Sequence, residues 1–181
     1  MRLFAAVVPP PEAVGHLEEF LDGLRTARPD LRWVPPARWH LTLQFLGECG
    51  PYEVERQRDR WERRALRSRP MQVRLAGAGA FPHPWMARAV WVGLAGAVDA
   101  FSALAADDQV PHLTVARTRE RAELSALVDE VAHYDGPTWT AHELVLVESR
   151  LGAETGPRYR PLETVPLGEE SDRYGSWALP G

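Results

Sequence analysis

The chain has 181 residues, a formal net charge of −4, 45% hydrophobic and 25% charged residues, and one cysteine. That length suits one domain, or one compact unit of two similar lobes, with enough residues to bury a core without staples. One cysteine excludes an intrachain disulfide, and a weakly acidic chain has no bulk attraction for nucleic acid.

In chain order, Leu3 to Val8 is an apolar run closed by Pro9-Pro10-Pro11. It is too short for a signal-peptide core or a membrane span. It reads as a buried strand over residues 2–8 of a cytoplasmic protein with no membrane association. Residues 12–27 carry Val14, Leu17, Phe20, Leu21 and Leu24 at helical spacing. Leu31 to Val34 reads as a short strand stopped by Pro35-Pro36. Residues 39–46, WHLTLQFL, alternate, which predicts a strand with Leu41, Leu43 and Phe45 on one face and His40, Thr42 and Gln44 on the other.

Residues 52–68 form a charged helix with a thin apolar stripe of Val54, Trp61, Ala65 and Leu66. Its arginines read as a solvated face. Residues 71–76 and 89–94 read as strands, joined by a loop, GAGAFPHPW, at 77–85. Residues 97–106 are a brief helical patch. PHLTVAR at 111–117 is a second alternating strand, with Leu113 and Val115 opposed to His112, Thr114 and Ala116. A helix follows over 120–133, then strands over 142–149 and 158–165, the latter at an edge because Pro161 cannot donate to a ladder. The tail after about residue 168 reads as loosely ordered. The pattern is α+β: a single two-lobed domain over 1–181, its sheets mostly antiparallel and its helices on the outer faces.

His-Leu-Thr thus occurs twice, each time on a strand. Residues i and i+2 share a face about 7 Å apart, so His40 projects with Thr42 and His112 with Thr114. Two imidazoles titrating near neutrality can hold opposite protonation states, one removing a proton while the other supplies one. Threonine hydroxyls can hold anionic oxygens. This suits attack on a phosphodiester with no metal or other cofactor. Arg117 has the opposite strand parity to His112, yet could curl back to grip phosphate. Other chemistries have less behind them. His40, His83 and His112 could supply three imidazoles to a metal, but no HExxH, CxxC or acidic ligand pair accompanies them. Cys49 lacks a partner pattern for a nucleophile. GAGAF at 77–81 lacks the following helix of a phosphate loop and reads as a turn.

At these residues the chain resembles the two-histidine phosphoesterases, and among them the bacterial RNA 2′,3′-cyclic phosphodiesterases, also called 2′-5′ RNA ligases. The similar stretches are RLFAAVVPP at the start, RWVPPARWHLTLQFLGE at 32–48, GAFP at 79–82, VWVGL at 90–94, PHLTVAR at 111–117 and ELVLVESRLGAETGPRYRPLETVPL at 143–167. The resemblance implies a bilobal fold with the two motifs facing each other across a cleft. It also implies hydrolysis of a 2′,3′-cyclic phosphate to a 2′-phosphate, acting on RNA ends or nucleotides and working as a monomer. By position His40 would be the acid and His112 the base; Thr42 and Thr114 would hold phosphoryl oxygens, with Arg117 assisting. Phe81 matches a position where a ring can stack on a base, or else anchors the loop. The chain departs from the family in a shortened helix before the second motif and in Val110 before Pro-His, where Phe is common. A non-catalytic RNA-end or nucleotide binder, and a phosphodiesterase for small cyclic nucleotides, stay open as alternatives.

Overall fold

The computed structural model describes residues 1–106, 108, 110–152 and 157–169. From residue 170 on, the expected loose tail lies outside the described residues.

The strands are β1 (Arg2–Val7), β2 (Arg32–Trp33), β3 (Leu41–Glu48), β4 (Met71–His83), β5 (Met86–Gly96), β6 (His112–Ala122), β7 (Trp139–Ala141), β8 (Glu143–Ser149) and β9 (Tyr159–Pro166). The helices are α1 (Pro11–Ala27), α2 (Pro51–Leu66), α3 (Val98–Leu104) and α4 (Ser125–Val131). Among the described residues the strands form two antiparallel sheets, in the orders β3-β1-β8-β9 and β2-β6-β5-β4-β7. The architecture is the expected α+β arrangement, with Pro161 on the edge strand β9. None of the described helices is long and apolar enough to cross a membrane.

Among the described residues the largest apolar cluster lies between the sheets and helices. Val7, Leu41, Leu43, Leu144 and Leu146 enter it from the first sheet, and Val73, Leu75, Val92, Leu113 and Val115 from the second. α2 packs on β8 and β9, whereas α3 and α4 pack on β4. Leu17 and Leu21 of α1 and Trp61 of α2 are fully buried, as the helical periodicity predicts, but Leu66 is exposed.

Three local readings are corrected. GAGAFPH is strand, not loop: β4 and β5 form a long hairpin whose turn is confined to Pro84-Trp85. Its glycines make room, because a Cβ on Gly79 would stand 2.2 Å from the Trp91 ring and one on Gly93 would stand 2.8 Å from the Ala76 carbonyl oxygen. β6 continues to Ala122, so the helix predicted from 120 begins only at Ser125. The third is an addition: β7, a three-residue strand on the edge of the second sheet, lies where the sequence pattern predicts none.

Candidate active site

Both His-x-Thr segments lie where the sequence puts them, at the start of β3 and of β6, and these two strands lie against each other across the sheets. Leu41 and Leu113 are fully buried and pin their strands; His40, Thr42, His112 and Thr114 on the opposite face are half-buried. Among the described residues neither threonine hydroxyl is taken up by a protein acceptor.

The two histidines are held in the same way. His40 Nδ1 lies 2.7 Å from the Arg38 carbonyl oxygen, and His112 Nδ1 lies 2.7 Å from the Val110 carbonyl oxygen. A carbonyl can only accept, so each Nδ1 donates and each Nε2 is left for a ligand. Aromatic rings hold both imidazoles. Phe4 and Tyr159 lie 4.7 and 5.3 Å from the His40 ring, while Phe81 and Trp91 lie 4.8 and 6.0 Å from the His112 ring. Phe81 therefore touches the site, and at 36% exposure its ring is also open to solvent.

A β-bulge follows each threonine and changes what faces the cleft. In β1–β3 the register runs Ala6↔Thr42, Ala5↔Gln44, Phe4↔Phe45, so β3 carries one extra residue. Phe45 is thereby moved onto the face of Thr42, 6.0 Å from the Phe4 ring and 64% exposed. This corrects the expectation that it joins Leu41 and Leu43 in the core. In β5–β6 the register runs Trp91↔Thr114, Val90↔Ala116, Ala89↔Arg117, again with one extra residue on the motif strand. Arg117 thus shares a face with His112 and Thr114 and has no need to curl back. In each motif the residue five after the histidine is delivered to the cleft by the same device.

The His40 pKa is pushed below its usual 6.5, first by burial and then by the charges of His112 and Arg117; the Arg38 carbonyl opposes this. Arg117 has no ion-pair partner among the described residues.

The remaining candidates lie elsewhere. His83 stacks on Trp85 at the hairpin tip, and among the described residues no group of three His, Cys, Asp or Glu side chains is placed to hold a metal. Cys49 is buried against Leu3 and Val54, and burial raises its thiol pKa, the reverse of what a nucleophile needs. The α2 arginines are mostly occupied: Arg56 pairs with Glu53, Arg58 with Glu55 and Glu163. Arg64 instead reaches α3. Its Nε donates to the Leu104 carbonyl at 3.1 Å, and its Nη2 to those of Ala103, Leu104 and Ala105 at 3.1, 2.9 and 3.2 Å. The shortened helix before the second motif is thus capped from α2.

The chain is similar to known proteins over most of its length. Residues 7–91 match the family described as LigT like Phosphoesterase. An RNA 2′,3′-cyclic phosphodiesterase of Methanothermobacter thermautotrophicus is 30% identical, the match covering 92% of this chain and 99% of that protein. One of Thermus thermophilus is 32% identical, over 96% of this chain and 93% of that protein. A crystal structure of a Thermus thermophilus protein superposes with a TM-score of 0.71 at 29% identity, over 93% of this chain and all of that one.

Proposed function

The chain belongs to the LigT-like phosphoesterase family, and from that premise we propose that it hydrolyses 2′,3′-cyclic phosphate ends of RNA to 2′-phosphomonoesters. The observation that carries the reading is the pair of equivalently anchored histidines, each with its Nε2 uncommitted and a threonine on the same face.

In this reading the cyclic phosphate sits between the two motifs. His112 Nε2 takes a proton from water as the water oxygen bonds to phosphorus. The P–O3′ bond breaks, and His40 Nε2 supplies the proton that makes the departing oxygen a 3′-hydroxyl. Thr42 and Thr114 hydroxyls donate to the non-bridging oxygens, and Arg117 neutralises the charge that builds there. Burial, and beside it the Arg117 charge, lower the His40 pKa in the free protein. An anionic phosphodiester acts in the opposite direction and restores the proton that the acid role requires. Phe81, beside His112 and partly open, offers its face to the terminal base.

The test compares His40→Ala and His112→Ala, each confirmed folded. Each is expected to lose roughly 10²-fold or more on a nucleoside 2′,3′-cyclic phosphate. On a p-nitrophenyl phosphodiester, whose leaving group needs no proton, His40→Ala retains more activity than His112→Ala. The reverse order would exchange the two roles, and wild-type rates in both variants would remove the hydrolase reading.

A further inference from the structure

The open face of the second sheet does not end at the histidine. Register carries it along the hairpin, with Gly79 beside Trp91, Phe81 beside Ala89 and His83 beside Met86. At the tip His83 and Trp85 stack with ring centroids 4.6 Å apart and planes 6° from parallel. Trp85 is 61% exposed and Met86 37%. Burial is the usual fate of such side chains, and this stack lies beyond the core, so packing does not explain it.

The charge of this arm is opposite to that of the whole chain. Strands β5 and β6 carry Arg88, Arg117, Arg119 and Arg121 against Glu120 alone. Among the described residues none of the four arginines has a carboxylate within ion-pair distance. Arg121 reaches the Met86 sulfur at 3.6 Å and Arg88 the Arg119 carbonyl oxygen at 3.4 Å, which keeps both against the hairpin. Nearby Glu123 is turned away, accepting from the Ser125 amide at 2.8 Å.

Exposed aromatic faces interleaved with unpaired arginines bind single-stranded nucleic acid: rings stack on bases and guanidinium groups meet phosphates. Phe81 and His83 are two residues apart on a strand, about 7 Å, a spacing that lets two successive splayed bases each meet a ring. We propose that the cleft face of the β4–β5 hairpin is a track for the RNA strand preceding the cyclic phosphate, so that the preferred substrate is an oligonucleotide end. The inference rests on the hydrolase reading above and adds the surface that holds the strand upstream of the reacting end, which favours an oligonucleotide over a mononucleotide. The terminal base lies at Phe81, the preceding bases run to the His83–Trp85 stack, and Arg88, Arg119 and Arg121 follow the backbone.

The experiment measures kcat/KM for a 2′,3′-cyclic mononucleotide and for a pentaribonucleotide with the same terminal cyclic phosphate. It uses the wild type, Trp85→Ala, and the double variant Arg119→Gln with Arg121→Gln. The pentanucleotide is expected to be favoured by about tenfold, the scale of stacking one base. Each variant should bring the ratio of the two constants toward one, as should raising the salt for the wild type. Because Trp85 and both arginines are exposed, unchanged melting curves separate this from misfolding. Equal constants on both substrates in the wild type, or an undiminished ratio in both variants, would overturn the track while leaving the hydrolase standing. No turnover of either substrate would overturn the hydrolase and the track together.

Discussion

Arg64 is the test of how the shortened α3 segment is held. Its guanidinium meets three carbonyls at the end of α3 and lies 5.5 Å from the centroid of a Trp61 ring that is fully buried. Burial lowers its pKa, the signature of a cation drawn partly out of water, with Arg60 and Arg67 adding to the effect. Because α2 packs on the first sheet and α3 on the second, the side chain ties the two sheets together just ahead of residues 105–111, which lead into His112. Four charge-assisted hydrogen bonds shared among three carbonyls, at about 1 kcal/mol per carbonyl, less what water returns to exposed carbonyls, plus about 0.5–1 kcal/mol of cation–π attraction, give about 2–4 kcal/mol. For a chain of this length that lowers Tm by about 5–15 °C, since each kcal/mol moves it by about 2–4 °C. Thermal unfolding followed by circular dichroism measures the effect in Arg64→Ala. Arg64→Met keeps the stem against Trp61 but has no donors, and should recover little. Arg64→Lys restores one point charge without the fork, and should recover less than half. A shift under about 2 °C for Arg64→Ala, or wild-type behaviour in Arg64→Met, would refute the capping role.

Arg117→Ala should lower kcat/KM on all cyclic phosphates alike, whereas Phe81→Ala should fall further on a nucleotide than on a cyclic phosphate without a base; equal losses for Phe81→Ala on both would assign it to packing. Stability should also depend on His40. Its folded pKa lies below the ordinary 6.5, so the unfolded chain binds the proton more tightly, and stability that is complete above about pH 6.5 is lost as pH falls through the folded value. The drop in Tm from about pH 7 to about pH 5 should therefore be smaller in His40→Ala, and an identical drop would contradict the assignment. Turnover should survive EDTA; complete loss, restored by one divalent ion, would contradict proton transfer by the two imidazoles alone.

The paired motifs were legible because alternation of period two is a strong signal, and Leu41, Thr42, Leu113 and Thr114 face as it predicts. The residues just beyond were not legible. A bulge adds one residue without any required side chain, so nothing in LTLQF or LTVAR announces that Phe45 and Arg117 cross to the cleft. Glycine and proline made residues 77–83 read as a loop, although Gly79 is there to admit the Trp91 ring to a strand. β7 is too short to carry a pattern, and the polar end of β6 resembles the start of a helix. In α2 the arginines look alike in sequence; only the fold singles out Arg64, by bringing the end of α3 beneath it.

The first sheet takes strands from both ends of the chain and seats β8 between β1 and β9. His40 is walled by Phe4 of β1 and Tyr159 of β9, more than 100 positions apart in sequence. A ribosome that has delivered residues 1–142 has already made both histidines, yet the first sheet then consists of β1 and β3 alone, and a two-stranded pairing is marginal in water. Completion of the pocket waits until β9 has left the exit tunnel. A nascent or prematurely terminated chain therefore carries both motifs without a finished pocket, and translation itself sets the moment at which the enzyme can first act on RNA.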